Sequence, residues 1–405
     1  MQASVETRFI PPAYRRLRVG NILLLSLALL LAACSSGGSA ASTPTPSARV
    51  TPATGGNGSI TTTTSVTPGI SLGPQPCPNA VKVPAHWDQI IPTQPNVNKV
   101  ESVTCGYLTG TANLQALITV RYNGTGAVLD VYVYTHIESP SPTQLFKLQN
   151  LYKGDARISQ YNTVMTAEVD QNSSVNKGKS NAAFTQDLFR EFNTGSFAPV
   201  SFPGIYPDMT RFQAETDQGQ VNTGQDTWKL SATQVAAHFA TDATLLNWSN
   251  VKASVTSGGG SGDAEAVVNI STSAPGTRTV ALTIQRLEGN TNGGIWEIVG
   301  VASAGMSISA PQNRDILTSP VTVSGTGTAF EGSIGNVTIL DHTYTNIGHA
   351  SAKGASGNGA TTFSVSVAYT STFKTGMQDG IVILDAANNA GGPVSAVVME
   401  KELLS

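Results

Sequence analysis

Charge is scarce in this chain. Only 12% of its 405 residues are Asp, Glu, Lys or Arg, 23 basic against 26 acidic, about half the share usual in soluble domains. A nucleic-acid partner calls for a concentrated basic surface, and no long run of either sign exists, so nucleic acid is not an expected partner. Cysteine is scarcer still. Three residues cannot build a multi-disulfide scaffold or two zinc-ribbon pairs. Aromatics, at 6%, are too few and scattered for a base-stacking platform. No apolar run reaches the ~20 residues of a membrane-spanning helix. What is plentiful is Gly, with 40, and Pro, with 21.

The N-terminus carries an address. Arg8, Arg15, Arg16 and Arg18 stand against one acid, Glu6, and an uncharged apolar run follows from Ile22 to Ala33 and stops at Cys34. A basic start, a short apolar stretch and small residues before a cut are the layout of a secretory signal. A single-pass anchor is the lesser reading, because the run is too short. Leu31-Ala32-Ala33-Cys34 resembles the lipobox of bacterial lipoproteins. That resemblance implies removal of residues 1–33, a diacylglyceryl group on the Cys34 sulfur and an acylated new amine. Each buried CH₂ contributes about 0.8 kcal/mol, so two or three chains hold a protein on a membrane. The expected location is the outer face of the bacterial cytoplasmic membrane, or the outer membrane in a host that has one. Cleavage removes four arginines and one glutamate, leaving a mildly acidic chain of net charge −6.

Residues 34–76 read as a tether. From Ser35 to Pro76, 34 of 42 residues are Ser, Thr, Gly, Pro or Ala, and Arg49 is the only charge. Such a composition buries no apolar area, and its reach is roughly 35–40 Å. The two remaining cysteines are Cys77 and Cys105. Outside the membrane the compartment is oxidising, so they are expected to pair; two free buried thiols are the alternative.

The folded mass reads as multidomain and β-rich: two α+β domains, then an immunoglobulin-like β-sandwich. Residues 77–203 form the first. Strands are predicted over 102–108, 114–122, 128–134, 155–159, 164–169, 187–192 and 196–202, with Asn193-Thr194-Gly195 turning the last pair. Ser141-Pro142 and the spacing of Leu145, Leu148, Leu151 and Tyr152 predict a helix. The stretch 184–192 also fits a short helix. Residues 204–303 form the second domain, a helix opened by Ser231 and Gln234 that buries Val235, Phe239, Ala243 and Leu246. An antiparallel meander over 252–256, 264–271, 279–287 and 295–301 follows it. Residues 304–405 carry short strands punctuated by Gly, Asn and Asp.

In that last segment Ser319-Pro320-Val321-Thr322-Val323-Ser324-Gly325, then Ala329-Phe330-Glu331, Phe363-Ser364-Val365 and Tyr369 resemble the immunoglobulin-like domain of bacterial spore-germination and related envelope proteins. Phe202-Pro203, Thr227-Trp228, Ala236–Phe239 and Trp296–Val299 are similar to a region preceding that domain in lipoproteins of Gram-positive-type bacteria. The resemblance implies an extracytoplasmic binding protein, with no catalytic residues to carry over. Asp341-His342 does not belong to the common pattern.

The residues offer little chemistry of their own. His86, His136, His238, His342 and His349 lack metal-ligand spacing, so no metal and no cofactor is expected. Asp341, His342 and His349 read as turn capping or a local polar cluster. Ser174-Val175-Asn176-Lys177, Ser356-Gly357-Asn358 and Lys374-Thr375-Gly376 occur in the order of penicillin-binding acyltransferases. That chemistry puts the serine at a helix start, whereas 174–180 reads as a loop, so no catalytic residue is assigned. Asp208, Glu215, Asp217 and Asp226 read as a solvated loop without an apolar pocket. The expected function is a lipid-anchored, non-catalytic binding or scaffold module for an envelope protein or polymer. A wall-acting hydrolase or acyltransferase and a solute-binding transporter component are the alternatives.

Overall fold

The computed structural model describes residues 70–405, apart from 172–175, 180–181, 183, 185, 275, 289–292, 374–375 and 389–391. The signal segment, Cys34 and most of the tether lie outside the described residues, as do Ser174 and Lys374-Thr375.

The first strands, β1 (Asn98–Gly106), β2 (Gln115–Tyr122), β3 (Leu129–Thr135) and β4 (Thr143–Leu151), form one antiparallel sheet in chain order. β4 corrects the helix expected over 145–152. Its partners in β3 step from Leu129 opposite Leu151 to Val131 opposite Leu148, with a second shift nearby. Such β-bulges let apolar side chains three apart share one face, which imitates helical spacing. A second sheet follows in chain order: β5 (Asp155–Ile158), β6 (Val164–Glu168), β7 (Gln186–Asn193) and β8 (Ser196–Val200). The region of β7 is therefore extended rather than helical. Thr194 (φ 50°) and Gly195 (φ 91°) join β7 to β8 in left-handed backbone, the geometry that matches strand twist in a two-residue hairpin.

Leu117, Leu129, Val131 and Val133 of the first sheet meet Ile158, Val164 and Phe197 of the second in a shared core. On the first sheet's other side, Trp87 of the one-turn helix α1 (Pro84–Trp87) packs on Ala116, Ile118 and Val120. Buried on both sides, β2 reads as an almost unbroken apolar run. Cys105 sits in that core, bonded to Cys77 with their Cα atoms 5.2 Å apart. Closing a 28-residue separation stabilises by about 3 kcal/mol in the chain-entropy model. Reduction is therefore expected to lower the denaturant midpoint. Equal midpoints with and without dithiothreitol would refute that.

The middle of the chain supplies α2 (Arg211–Asn222), a 3-10 turn (Thr227–Leu230) and α3 (Ala232–Thr241), then the meander β9 (Lys252–Gly258), β10 (Glu265–Ser271), β11 (Val280–Glu288) and β12 (Ile295–Ser303). α2 replaces the expected acidic loop. Its start is a capping box: Gln213 N–H donates to Thr210 Oγ1 at 3.2 Å, and Thr210 N–H to Gln213 Oε1 at 3.1 Å. Only Arg211, Ala214 and Val221 are buried along it, too narrow a stripe to show as periodicity. α3 starts where capping predicts, with Gln234 N–H on Ser231 Oγ. It ends at Thr241, so Ala243 is exposed beyond it while Leu246 reaches the same core from the next turn.

The last segment is β13 (Ser307–Ala310), β14 (Ile316–Leu317), β15 (Val321–Ala329), β16 (Ser333–Asp341), β17 (Asn346–Lys353), β18 (Gly359–Val367), β19 (Gln378–Asn388) and β20 (Gly392–Leu404). β13-β15-β18 and β17-β16-β19-β20 close over Val323, Val337, Phe363, Val382 and Leu384. Through Val301 opposite Met399, the second sheet continues from β20 into β12-β11-β10-β9. Its central strands thus have cores on both faces. Val382 and Leu384 enter the sandwich, while Ile381 and Ile383 meet α3 and the meander.

The motif residues acquire physical jobs here. Tyr369 N–H donates to Ser319 Oγ at 2.9 Å, Ser319 Oγ donates to the Tyr369 carbonyl at 2.7 Å, and the Tyr369 hydroxyl donates to Leu317 O at 2.8 Å. A Cβ at Gly325 would collide with the Ser307 carbonyl oxygen, so that glycine admits β13 beside β15.

Candidate functional site

Two groups of buried charges tie separated segments of the chain together. In the first, Lys229 pairs with Asp217 and lies 3.5 Å from Asp208, whose N–H donates to Glu297 Oε2 at 3.2 Å. Asp208, Lys229 and Glu297 are all at most 5% exposed. Burial raises both carboxyls, and Lys229 draws Asp208 back down. Glu297, which also feels the Asp208 charge, is raised well above the ordinary carboxylate range. In the second, Lys401 Nζ lies 3.4 Å from Asp379 Oδ1, and donates to Gly204 O at 3.0 Å and to Met209 O. Asp379 also accepts from Ser201 Oγ at 3.0 Å and Phe202 N–H at 3.2 Å. Both groups bridge segments far apart in sequence and lie beneath the surface, which makes them fasteners. The acids expected on a solvated loop are thus partly core: Asp208 fastens α2's start to β12.

The residues singled out in sequence do not converge. Asp341 caps its own turn: Thr343 N–H, Thr343 Oγ1 and Thr345 N–H all donate to its Oδ1 at 2.7–3.0 Å. His342 Nε2 lies 3.1 Å from Phe184 O, and His349 is exposed on β17. His238 stacks on Trp228 at 4.0 Å, and Trp296 is fully buried beneath the Arg286 guanidinium. Asn358 Oδ1 accepts from Glu331 N–H at 2.8 Å, a turn contact. Among the described residues no group of three or more His, Cys, Asp or Glu is placed to hold a metal. No described helix is long and apolar enough to cross a membrane.

What the fold does build is a cleft of about 400 Å³ between the turn after α3 and the sandwich sheet. Leu246, Leu340, Ile383 and Met399 supply apolar wall, and Tyr344 and Asp385 bring polar groups to it. Trp248 Nε1 donates to Val394 O at 2.8 Å beside it, and the Tyr344 hydroxyl is spent on Ile205 O at 2.8 Å. Burial raises the Asp385 carboxyl, with Asn336 opposing. An apolar recess with few polar groups suits an apolar side chain of a partner. Its walls come from four separated segments, so no local motif announces it.

Comparison with known proteins bears on the same end of the chain. No curated protein matches it. Residues 306–382, however, match the family of the immunoglobulin-like domain of bacterial spore germination. That stretch begins just before β13 and runs into β19, with every motif residue from Ser319 to Tyr369 inside it. The C-terminal sandwich therefore has an immunoglobulin-like fold, and over residues 306–382 it is similar to the immunoglobulin-like domain of bacterial spore germination.

Proposed function

We propose that this protein is a lipid-anchored, non-catalytic binding or scaffold module of the bacterial envelope, serving spore germination or cell-wall assembly. The observation that carries the reading is the immunoglobulin-like domain at residues 306–382. Fold alone does not name a ligand. The cleft on that domain's sheet gives it an apolar recess for a protein partner, while the buried acids and lysines are spent on fastening segments together. Cys34 and the membrane face rest on the lipobox resemblance and the signal layout, and the non-catalytic role on the resemblance of the C-terminal segment to binding domains.

Two measurements test the reading. Cys34→Ser is expected to move the protein from the membrane fraction to the soluble fraction, since no acyl chain would remain to hold it. Retention of the variant on membranes would overturn the anchor. The full-length protein should also capture a defined partner from envelope fractions, and capture should weaken when Met399→Lys places a charge in the cleft wall.

A further inference from the structure

A second cleft, of about 610 Å³, opens between the two N-terminal sheets, remote in sequence from the immunoglobulin-like domain. We propose that it binds a neutral glycan strand. The inference rests on the envelope reading above for where such a ligand would be met, and on the cleft itself for its chemistry.

The cleft is polar and electrically balanced. Its charged side chains are Glu101 and Asp155 against Arg121 and Lys153. A site for a polyanion would carry an excess of cations; two of each sign favour an uncharged polar ligand. Arg121 is fixed in place. Its Nε and Nη2 donate to Glu101 at 2.8–3.1 Å, and Nη1 donates to Ala127 O at 2.7 Å and Gly154 O at 2.9 Å. The guanidinium has thereby set the outer acceptor, Glu101, in one orientation while leaving that carboxylate 41% exposed. A planar carboxylate held this way accepts from two neighbouring hydroxyls at once. Ser102 and Thr119 add a pair of hydroxyls 2.7 Å apart on the same sheet face.

The remaining requirement for a sugar is an apolar face for ring C–H groups. Phe184 lines the cleft. Its ring meets Phe212 edge to face at 5.1 Å, and its carbonyl lies 3.1 Å from His342 Nε2, so the ring is held from two other elements. Fixed hydrogen-bonding groups beside one ordered aromatic ring fit a pyranose, and the volume lies within the range of ligand sites.

The test titrates full-length protein in detergent with the uncharged β-1,4-linked tetramer of N-acetylglucosamine, by calorimetry. A peptidoglycan stem peptide serves as the second probe. Wild type is expected to bind the tetramer, and Glu101→Gln and Phe184→Ala each to weaken it by about tenfold or more at unchanged melting temperature. Should Phe184→Ala unfold, the exposed Glu101→Gln carries the test alone. Absence of tetramer binding, equal binding by wild type and Glu101→Gln, or binding of the stem peptide in place of the tetramer each overturns the inference. Failure here with envelope capture intact removes only the glycan assignment; retention of Cys34→Ser on membranes with tetramer binding intact removes only the anchor.

Discussion

Replacing Lys401 with Ala is expected to destabilise the protein by about 3–5 kcal/mol, the cost of leaving a buried charge without its partner. Lys401 is fully buried and bonds Asp379, Gly204 O and Met209 O. Without it, Asp379 remains in the core with Ser201 Oγ, Phe202 N–H and the nearby His342 to stabilise its charge. Burial pushes the Asp379 carboxyl up and the Lys401 ammonium down, and each opposes the shift of the other. A second change separates the pair's charge from its packing. Lys401→Met with Asp379→Asn keeps the volume and keeps an acceptor for Ser201, but removes both charges. That double variant should recover at least half of the loss, because paired charges replaced by neutral groups cost little. Guanidinium denaturation at pH 7 reads both. A Lys401→Ala loss below about 1 kcal/mol would place Lys401 among ordinary surface substitutions and sink the account.

Local signals explain what was legible in the sequence. The meander and the sandwich were readable because Gly, Asn and Pro punctuate short runs with one apolar face, as in Glu265–Ser271 with alternate residues buried. Motifs from Ser319 to Tyr369 were readable because their contacts are structural demands: a shared serine–tyrosine bond and a glycine too close to a neighbouring strand. β4 misled because bulges put Leu148 and Leu151 at a helical interval. α2 was missed because it buries a cation where a helix usually buries apolar residues: Arg211 lies over the rings of Tyr161 and Phe202 at 4.5 and 4.9 Å. Its capping box, Thr210 with Gln213, was the available signal. The clefts and fasteners were beyond local reading, since Ser201 and Asp379 are 178 residues apart. One hint existed. Glu400, Lys401 and Glu402 stand between the apolar stretches Ala396–Met399 and Leu403-Leu404, where charge is out of place unless it is paired or fastened inside.

Glu402 carries the second large effect. It is fully buried on β20. Burial first, then the negative charges of Asp315 and Glu400, push its carboxyl up to about 9, with the Asp315 backbone N–H and then Lys401 opposing. An unfolded glutamate titrates near ~4.3. The folded state therefore holds a proton that the unfolded state has released across the window from about 4 to about 9. Stability from this group is full below that window and falls as pH rises through it, at up to about 1.4 kcal/mol per pH unit. Glu400 and Glu168, each raised to about 7 by burial, push the same way, so the total slope does not isolate Glu402. The difference between wild type and Glu402→Gln does. Glutamine mimics the protonated acid, so the two proteins should be nearly equal in stability at pH 4.5. At pH 8 the variant should be the more stable by several kcal/mol. Denaturation midpoints at the two pH values decide it: a wild-type-to-variant difference unchanged between pH 4.5 and 8 would mean that Glu402 does not titrate with unfolding.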